Sequence, residues 1–181
     1  MKTIKPRDKK LIVILCGVIL LAAAVYGIYR LTVWSQKPET IFKNVKADDV
    51  EKLTVAIPIR PEPHTVKNED IGEFLDLLKG LDSQTPMERP TPMDGDNPLH
   101  FNLTMKNGET YLIIVGNGFL DEENAAMTDG TIKVGNDGMG FECDCKPFEY
   151  FVKTHTDLEG FGYVFYDEKK GEYYYDMQAQ T

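Results

Sequence analysis

The sequence predicts an α+β fold: an N-terminal transmembrane helix, then an antiparallel sheet of about four to six strands packed with two helices. Three observations carry this reading. Residues 11–29 contain no charged side chain. Residues 53–59 and 99–105 alternate apolar and polar positions, the period of a half-buried strand. Residues 71–78 and 148–152 place apolar side chains three and four apart, the period of a helix that buries one face.

Charge divides the chain in two. Of 181 residues, 20 are Lys or Arg and 29 are Asp or Glu, a net charge of -9. Residues 1–34 hold six basic side chains against one acid, a charge of +5, and the rest holds 14 against 28, a charge of -14. A body this acidic excludes a nucleic-acid partner, because neutralising phosphates requires clustered Lys and Arg. The length fits one modest domain with extras, and three cysteines are too few for a disulfide scaffold.

The uncharged run 11–29 would span about 28 Å as a helix, close to a bilayer's hydrocarbon core. Leu31, Val33 and Trp34 extend it, so the anchor is set at 11–34, with the lipid bilayer as its partner. Tyr26, Tyr29 and Trp34 suit the interfacial belt. Five basic residues precede the run, and the positive-inside bias puts the 1–10 segment in the cytoplasm and the body outside. A cleaved signal peptide is the competing reading, with Ala22, Ala23 and Ala24 as its small-residue site. The apolar run continues past that site, which favours an uncleaved anchor.

Residues 35–49 lack periodicity and read as a juxtamembrane linker; the domain proper is 50–181. Leu53, Val55, Ile57 and Ile59 form one face of a strand, and Pro58 assigns it an edge or a bulge. Residues 60–65 read as a stiff connection. Asn68 suits a helix N-cap, with Glu69 and Asp70 in the first turn. Ile71, Phe74, Leu75 and Leu78 make the apolar stripe, whose burial contributes on the order of 6–12 kcal/mol before entropy. Gly80 suits the C-terminal cap.

A Pro-rich loop covers 83–98. Leu99, Phe101, Leu103 and Met105 then alternate with polar residues, and Asn107-Gly108 signals a two-residue hairpin turn. The return strand is 110–115. An acidic loop, 121–129, precedes a second pair, 131–134 and 141–145. Pro147 opens the second helix. The tail 161–175 reads as another hairpin, turning at Lys170-Gly171.

Four groups of residues invite a function. Cys143 and Cys145 lie two apart on a strand, so their Cα atoms are roughly 6.6–7 Å apart, at the disulfide limit. They read as a strained disulfide or as buried inward-facing thiols. His64, His100 and His155 are scattered and match no metal-ligand spacing. Acidic stretches at 94–97 and 121–124 miss the calcium-loop spacing and read as solvated loops. Tyr163, Tyr166, Tyr173, Tyr174 and Tyr175 form a dense cluster. Tyrosines give large contact area at small entropy cost, so this cluster is the candidate recognition surface. They are equally good strand formers. No nucleophile elbow, phosphate loop or cofactor fingerprint occurs, so no cofactor is expected.

The order of elements resembles a broad set of small membrane-anchored ectodomains of Gram-positive bacteria. The residues that carry the likeness are the anchor, DVEKLTVAI, EDIGEFLDLL, LHFNLTMKNGETYLIIV, TIKVG, GFECD and the helix at 148–152, and beyond the anchor the likeness covers about 50–154. The resemblance implies a location and an architecture, and no catalytic residue. The sequence thus points to a non-catalytic, extracytoplasmic binding or regulatory domain with a protein or cell-wall partner. The alternatives are a cell-envelope enzyme using Cys143, Cys145 or His100, and a structural subunit of a membrane assembly.

Overall fold

The computed structural model describes residues 6–58, 60–83, 86–87, 98–116, 120–121, 126–127, 130–135, 138–159, 161 and 164–176. It separates into two units, residues 1–35 and 36–181.

The first unit is helix α1, Pro6–Ser35. Its stretch Ile14–Ser35, 22 residues with mean hydropathy 2.1, is long and apolar enough to cross a membrane. A helix apolar on every side has no stripe to lay against a core, which is the pattern of a helix surrounded by lipid.

The second unit begins with a one-turn helix, α2, Pro38–Ile41. Strands β1 (Val50–Ile57) and β2 (Arg60–Thr65) follow. Then come helix α3 (Ile71–Lys79), the two-residue strand β3 (Pro86–Met87) and the pair β4 (Leu99–Met105) and β5 (Thr110–Gly116). Two short strands, β6 (Leu120–Asp121) and β7 (Ala126–Met127), pair with each other. Strands β8 (Gly130–Val134) and β9 (Gly140–Cys143) lead into helix α4, Lys146–His155. The hairpin β10 (Val164–Asp167) and β11 (Glu172–Tyr175) closes the described chain.

The main sheet is antiparallel throughout, in the order β2-β1-β4-β5-β8-β9-β3. Alternation decides its faces. Leu99, Phe101, Leu103 and Met105 are buried, while His100, Asn102 and Thr104 between them stay half-buried on the opposite face. Helices α3 and α4 cover the apolar face through a knot of rings. Phe74 lies 4.7 Å from Phe101, 6.2 Å from Phe148 and 5.6 Å from Phe151. The stripe Ile71, Phe74, Leu75 and Leu78 is buried as its spacing predicts.

Several local expectations are corrected. Residues 60–65 are a strand and not a connection: β2 takes the edge, β1 moves inside, and the irregularity falls between Val55 and Ile57. An edge is where a strand tolerates Pro61 and Pro63, which have no N–H to donate. Helix α3 starts at Ile71 after a 3₁₀ turn over Asn68–Asp70, with no side-chain cap bond. Gly80 stays right-handed, at φ -80, and its N–H donates to Asp76. The β4–β5 connection has three loop residues, not two. Gly108 N–H donates to Met105 O, Met105 N–H donates to Glu109 O, and Gly108 has φ 90. That is the turn followed by a left-handed glycine bulge, a conformation open to glycine at no steric cost. The predicted strand 141–145 stops at Cys143, and Cys145 belongs to the start of α4.

The segment expected as a linker is docked onto the domain. Phe42 is fully buried, with its ring 5.3 Å from Tyr111. Ser83, fully buried, donates its hydroxyl hydrogen to the Glu39 carboxylate at 2.6 Å. Lys37 donates to the Ser83 carbonyl and pairs with Glu39 at 3.6 Å. The Met139 N–H donates to Gln36 Oε1 at 3.1 Å. Phe42→Ala should therefore lower stability by about 3–5 kcal/mol. A urea titration of the detergent-solubilised chain checks this. A change within about 0.5 kcal/mol, typical of a surface position, would mean the segment is a loose tether after all.

Candidate functional site

The two cysteines meet at the β9–α4 junction. Cys143 is the last residue of β9, on the sheet's core face, and Cys145 caps α4 from its first turn. Their sulfurs are 3.6 Å apart, both are free thiols, and both are buried. The structure has no bond between the two sulfurs. Cys145 points its S–H at the Gly116 carbonyl, 2.9 Å away, with the Thr131 carbonyl at 3.7 Å. A glycine at position 130 makes room for this sulfur. A Cβ there would land on the Gly116 oxygen and the Cys145 sulfur. The neighbouring Cys143 thiol, together with burial and the nearby Glu149 and Asp144 carboxylates, pushes the Cys145 thiol well up from its ordinary value. It stays protonated at neutral pH.

Cys143 also lines a cleft of about 410 Å³ between α3 and the β9–α4 junction. Four of its ten lining residues are acids, Asp76, Asp82, Glu142 and Asp144, and none is basic.

His100 does not reach this site. It sits on the opposite face of the sheet, with β5 and β8 between its strand and β9, roughly 14 Å away at ordinary strand spacing. Burial, and then the positive charge of Lys133, hold the His100 imidazole below its ordinary value, so it is neutral at pH 7.

The tyrosines form a second site. The hairpin β10–β11 is a separate two-stranded sheet that packs on α4, not on the main sheet. Tyr166 and Tyr173 face Tyr150 of α4, at 6.3 and 5.5 Å between rings. On the other face Tyr174 stacks on Phe165 at 5.8 Å, and the Lys153 ammonium caps Phe165 at 3.7 Å. Tyr175 donates its hydroxyl hydrogen to the fully buried Glu149 at 3.3 Å, and the Lys146 ammonium lies 5.6 Å from its ring centre. Tyr166 and Tyr174 are 40% and 46% exposed. Burial is the first cause that raises the Tyr173 phenol, followed by Tyr166. Tyr163 lies outside the described residues, as do 94–97 and 122–125 of the acidic stretches.

A polar cleft that the sequence did not signal lies where β2, the start of α3 and the end of α4 meet. His155 places Nδ1 3.3 Å from Asp70 and Nε2 3.2 Å from Glu73, and its ring lies 4.7 Å from Phe151. His64 pairs with Asp157, and that hydrogen bond is the main cause holding the Asp157 carboxyl below its usual range. The two carboxylates at His155 lie on opposite edges of the ring, so the three cannot converge on one ion. Among the described residues no group of three His, Cys, Asp or Glu side chains could hold a metal. The signal was present only in part: Asp70 and Glu73 stand three apart at the start of α3, but nothing local says that His155 docks on them.

The Cys145 geometry sets a pH dependence. Its folded value lies above its unfolded one, so the proton is held in the fold and released on unfolding. Its contribution is complete below about pH 9 and is lost as pH rises from there. The urea midpoint should fall between about pH 9 and pH 10. Cys145→Ala should flatten that slope, even though it lowers the midpoint overall. An unchanged slope in the variant would remove Cys145 as its source.

No protein-family model, curated protein or solved structure matches this chain.

Proposed function

We propose that this chain is a single-pass, membrane-anchored binding protein. In this reading α1 sits in a bilayer with the basic flank in the cytoplasm. The α+β domain, outside, offers the β10–β11 hairpin to a protein or cell-wall partner. One observation carries it. Outside α1, the exposed large hydrophobic side chains among the described residues are Tyr166 and Tyr174, and both stand on this hairpin. Exposed tyrosines on a pinned two-stranded platform combine broad contact area with little rotamer freedom to lose. The five basic residues before the apolar run support the orientation.

A photo-crosslinking side chain at Tyr174 should give an adduct in intact cells, and one at Lys106, on the far hairpin tip, should not. Adducts at neither site, or equally at both, would end the reading of the hairpin as the recognition surface. Orientation is checked separately. Protease added to intact cells should remove the domain while the extracted fragment keeps the mass of an uncleaved N-terminus. Protection in intact cells with cleavage in lysates would reverse the topology.

A further inference from the structure

We propose that Cys143 and Cys145 are a dithiol switch, closed to an intramolecular disulfide by exchange with a small cationic disulfide that enters the acidic cleft. This goes beyond the binding role and does not depend on which side of the membrane the domain occupies.

Three observations converge on it. First, the two sulfurs are already in contact at 3.6 Å, so closure brings them about 1.5 Å closer. Second, the two thiols are not equivalent. Cys143 forms part of the cleft wall, whereas Cys145 lies deeper and gives its hydrogen to Gly116. Cys143 is therefore the thiol that an incoming disulfide meets, and Cys145 is the resolving one. Third, the cleft selects by charge. Asp76, Asp82, Glu142 and Asp144 line it; Lys79 and Lys146 pair with Asp76 at 3.8 Å and Asp144 at 2.7 Å from outside the wall, which leaves Asp82 and Glu142 to supply its net charge, on a body that already carries -14. A field of one sign in a concave site concentrates ions of the other sign.

The chemistry balances as two exchanges. The Cys143 thiol loses its proton and its sulfur attacks one sulfur of R–S–S–R. The R–S–S–R bond breaks, and the leaving thiolate takes up a proton. The Cys145 sulfur then attacks the Cys143 sulfur of the mixed disulfide, and its proton goes to the second leaving thiolate. Two protein thiols are oxidised and one external disulfide is reduced to two thiols. Closure removes the hydrogen that Cys145 gives to the Gly116 carbonyl, and so loosens the tie between the first turn of α4 and the ends of β5 and β8.

The test uses the full chain in detergent, with Cys16→Ala so that the third thiol is silent. Treated with cystamine, it should lose the mass of two hydrogen atoms and regain it with dithiothreitol. Dithiodiglycolate, the dianionic counterpart, should react on the order of 10-fold more slowly at low salt, with the gap narrowing as salt screens the cleft. Cys145→Ser should stop at the cysteamine adduct on Cys143. A parent chain that stays unmodified while folded, or that keeps a cysteamine adduct without closing, would overturn the switch. Equal rates for the two reagents would overturn the cleft as its gate. The parent measurement decides the matter even if the serine variant misfolds.

Discussion

The contact on which the rest of the domain depends is the Phe74 ring against Phe101, Phe148 and Phe151. One side chain of α3 thereby touches an inner strand of the sheet, β4, and the second helix at once. Each ring pair is worth about 0.5–1.5 kcal/mol beyond the area it buries. The area term itself is larger, since an aromatic ring takes roughly 150–250 Å² out of water. Helix α4 is short and has a polar outer face, so its own propensity would not hold it in place. Its position comes from Phe148, Phe151 and Val152, all buried against this cluster. Both candidate sites follow from that placement: the dithiol sits at the start of α4, and the tyrosine hairpin packs on it.

Two patterns of apolar residues divide the chain. Helix α1 is apolar on every side, whereas α3 confines its apolar residues to one stripe. A helix of the second kind is satisfied by one sheet face, and a helix of the first kind is satisfied by lipid. Between them, residues 36–42 are fixed by a small charged cluster. Glu39 keeps only about a fifth of its side chain exposed, and it does so because Ser83 and Lys37 supply the donors that water would otherwise supply. The domain therefore begins directly where α1 ends, at Gln36.

The parts legible in the sequence are those whose cause is local. The β4 alternation gave the correct buried face at all four apolar positions, because a strand's period leaves only two faces to choose between. The α3 stripe was equally direct. What was missed has distant partners. The docking of 36–42 depends on Ser83, more than forty residues away, and no pattern within 35–49 encodes it. Strand β2 was hidden by its prolines, which argue against an interior strand but not against an edge. Glu149 is fully buried on the inner face of α4, and a charged residue at such a position reads as a surface residue until its partners are known. The spacing of the two cysteines on a strand did not carry their geometry. A strand would have held the sulfurs apart, and the turn into α4 brings them together.

That turn also links the two sites physically. Lys146 follows Cys145 directly, binds Asp144 at 2.7 Å, and sets its ammonium near the Tyr175 ring. Three residues further on, Glu149 accepts from the Tyr175 hydroxyl. The first turn of α4 thus touches the dithiol on one side and strand β11 on the other. Near the cysteines it is tied to the sheet through Cys145, which bonds the Gly116 carbonyl at 2.9 Å and has the Thr131 carbonyl at 3.7 Å, with Gly130 providing the space. A packed interface of this kind has discrete arrangements and does not deform smoothly. A change in the bonding of Cys145 acts directly on the ends of β5 and β8, through Gly116 and Thr131, and on Lys146 and Glu149 through the first turn of α4. The hairpin carrying Tyr166 and Tyr174 is the element those two residues hold.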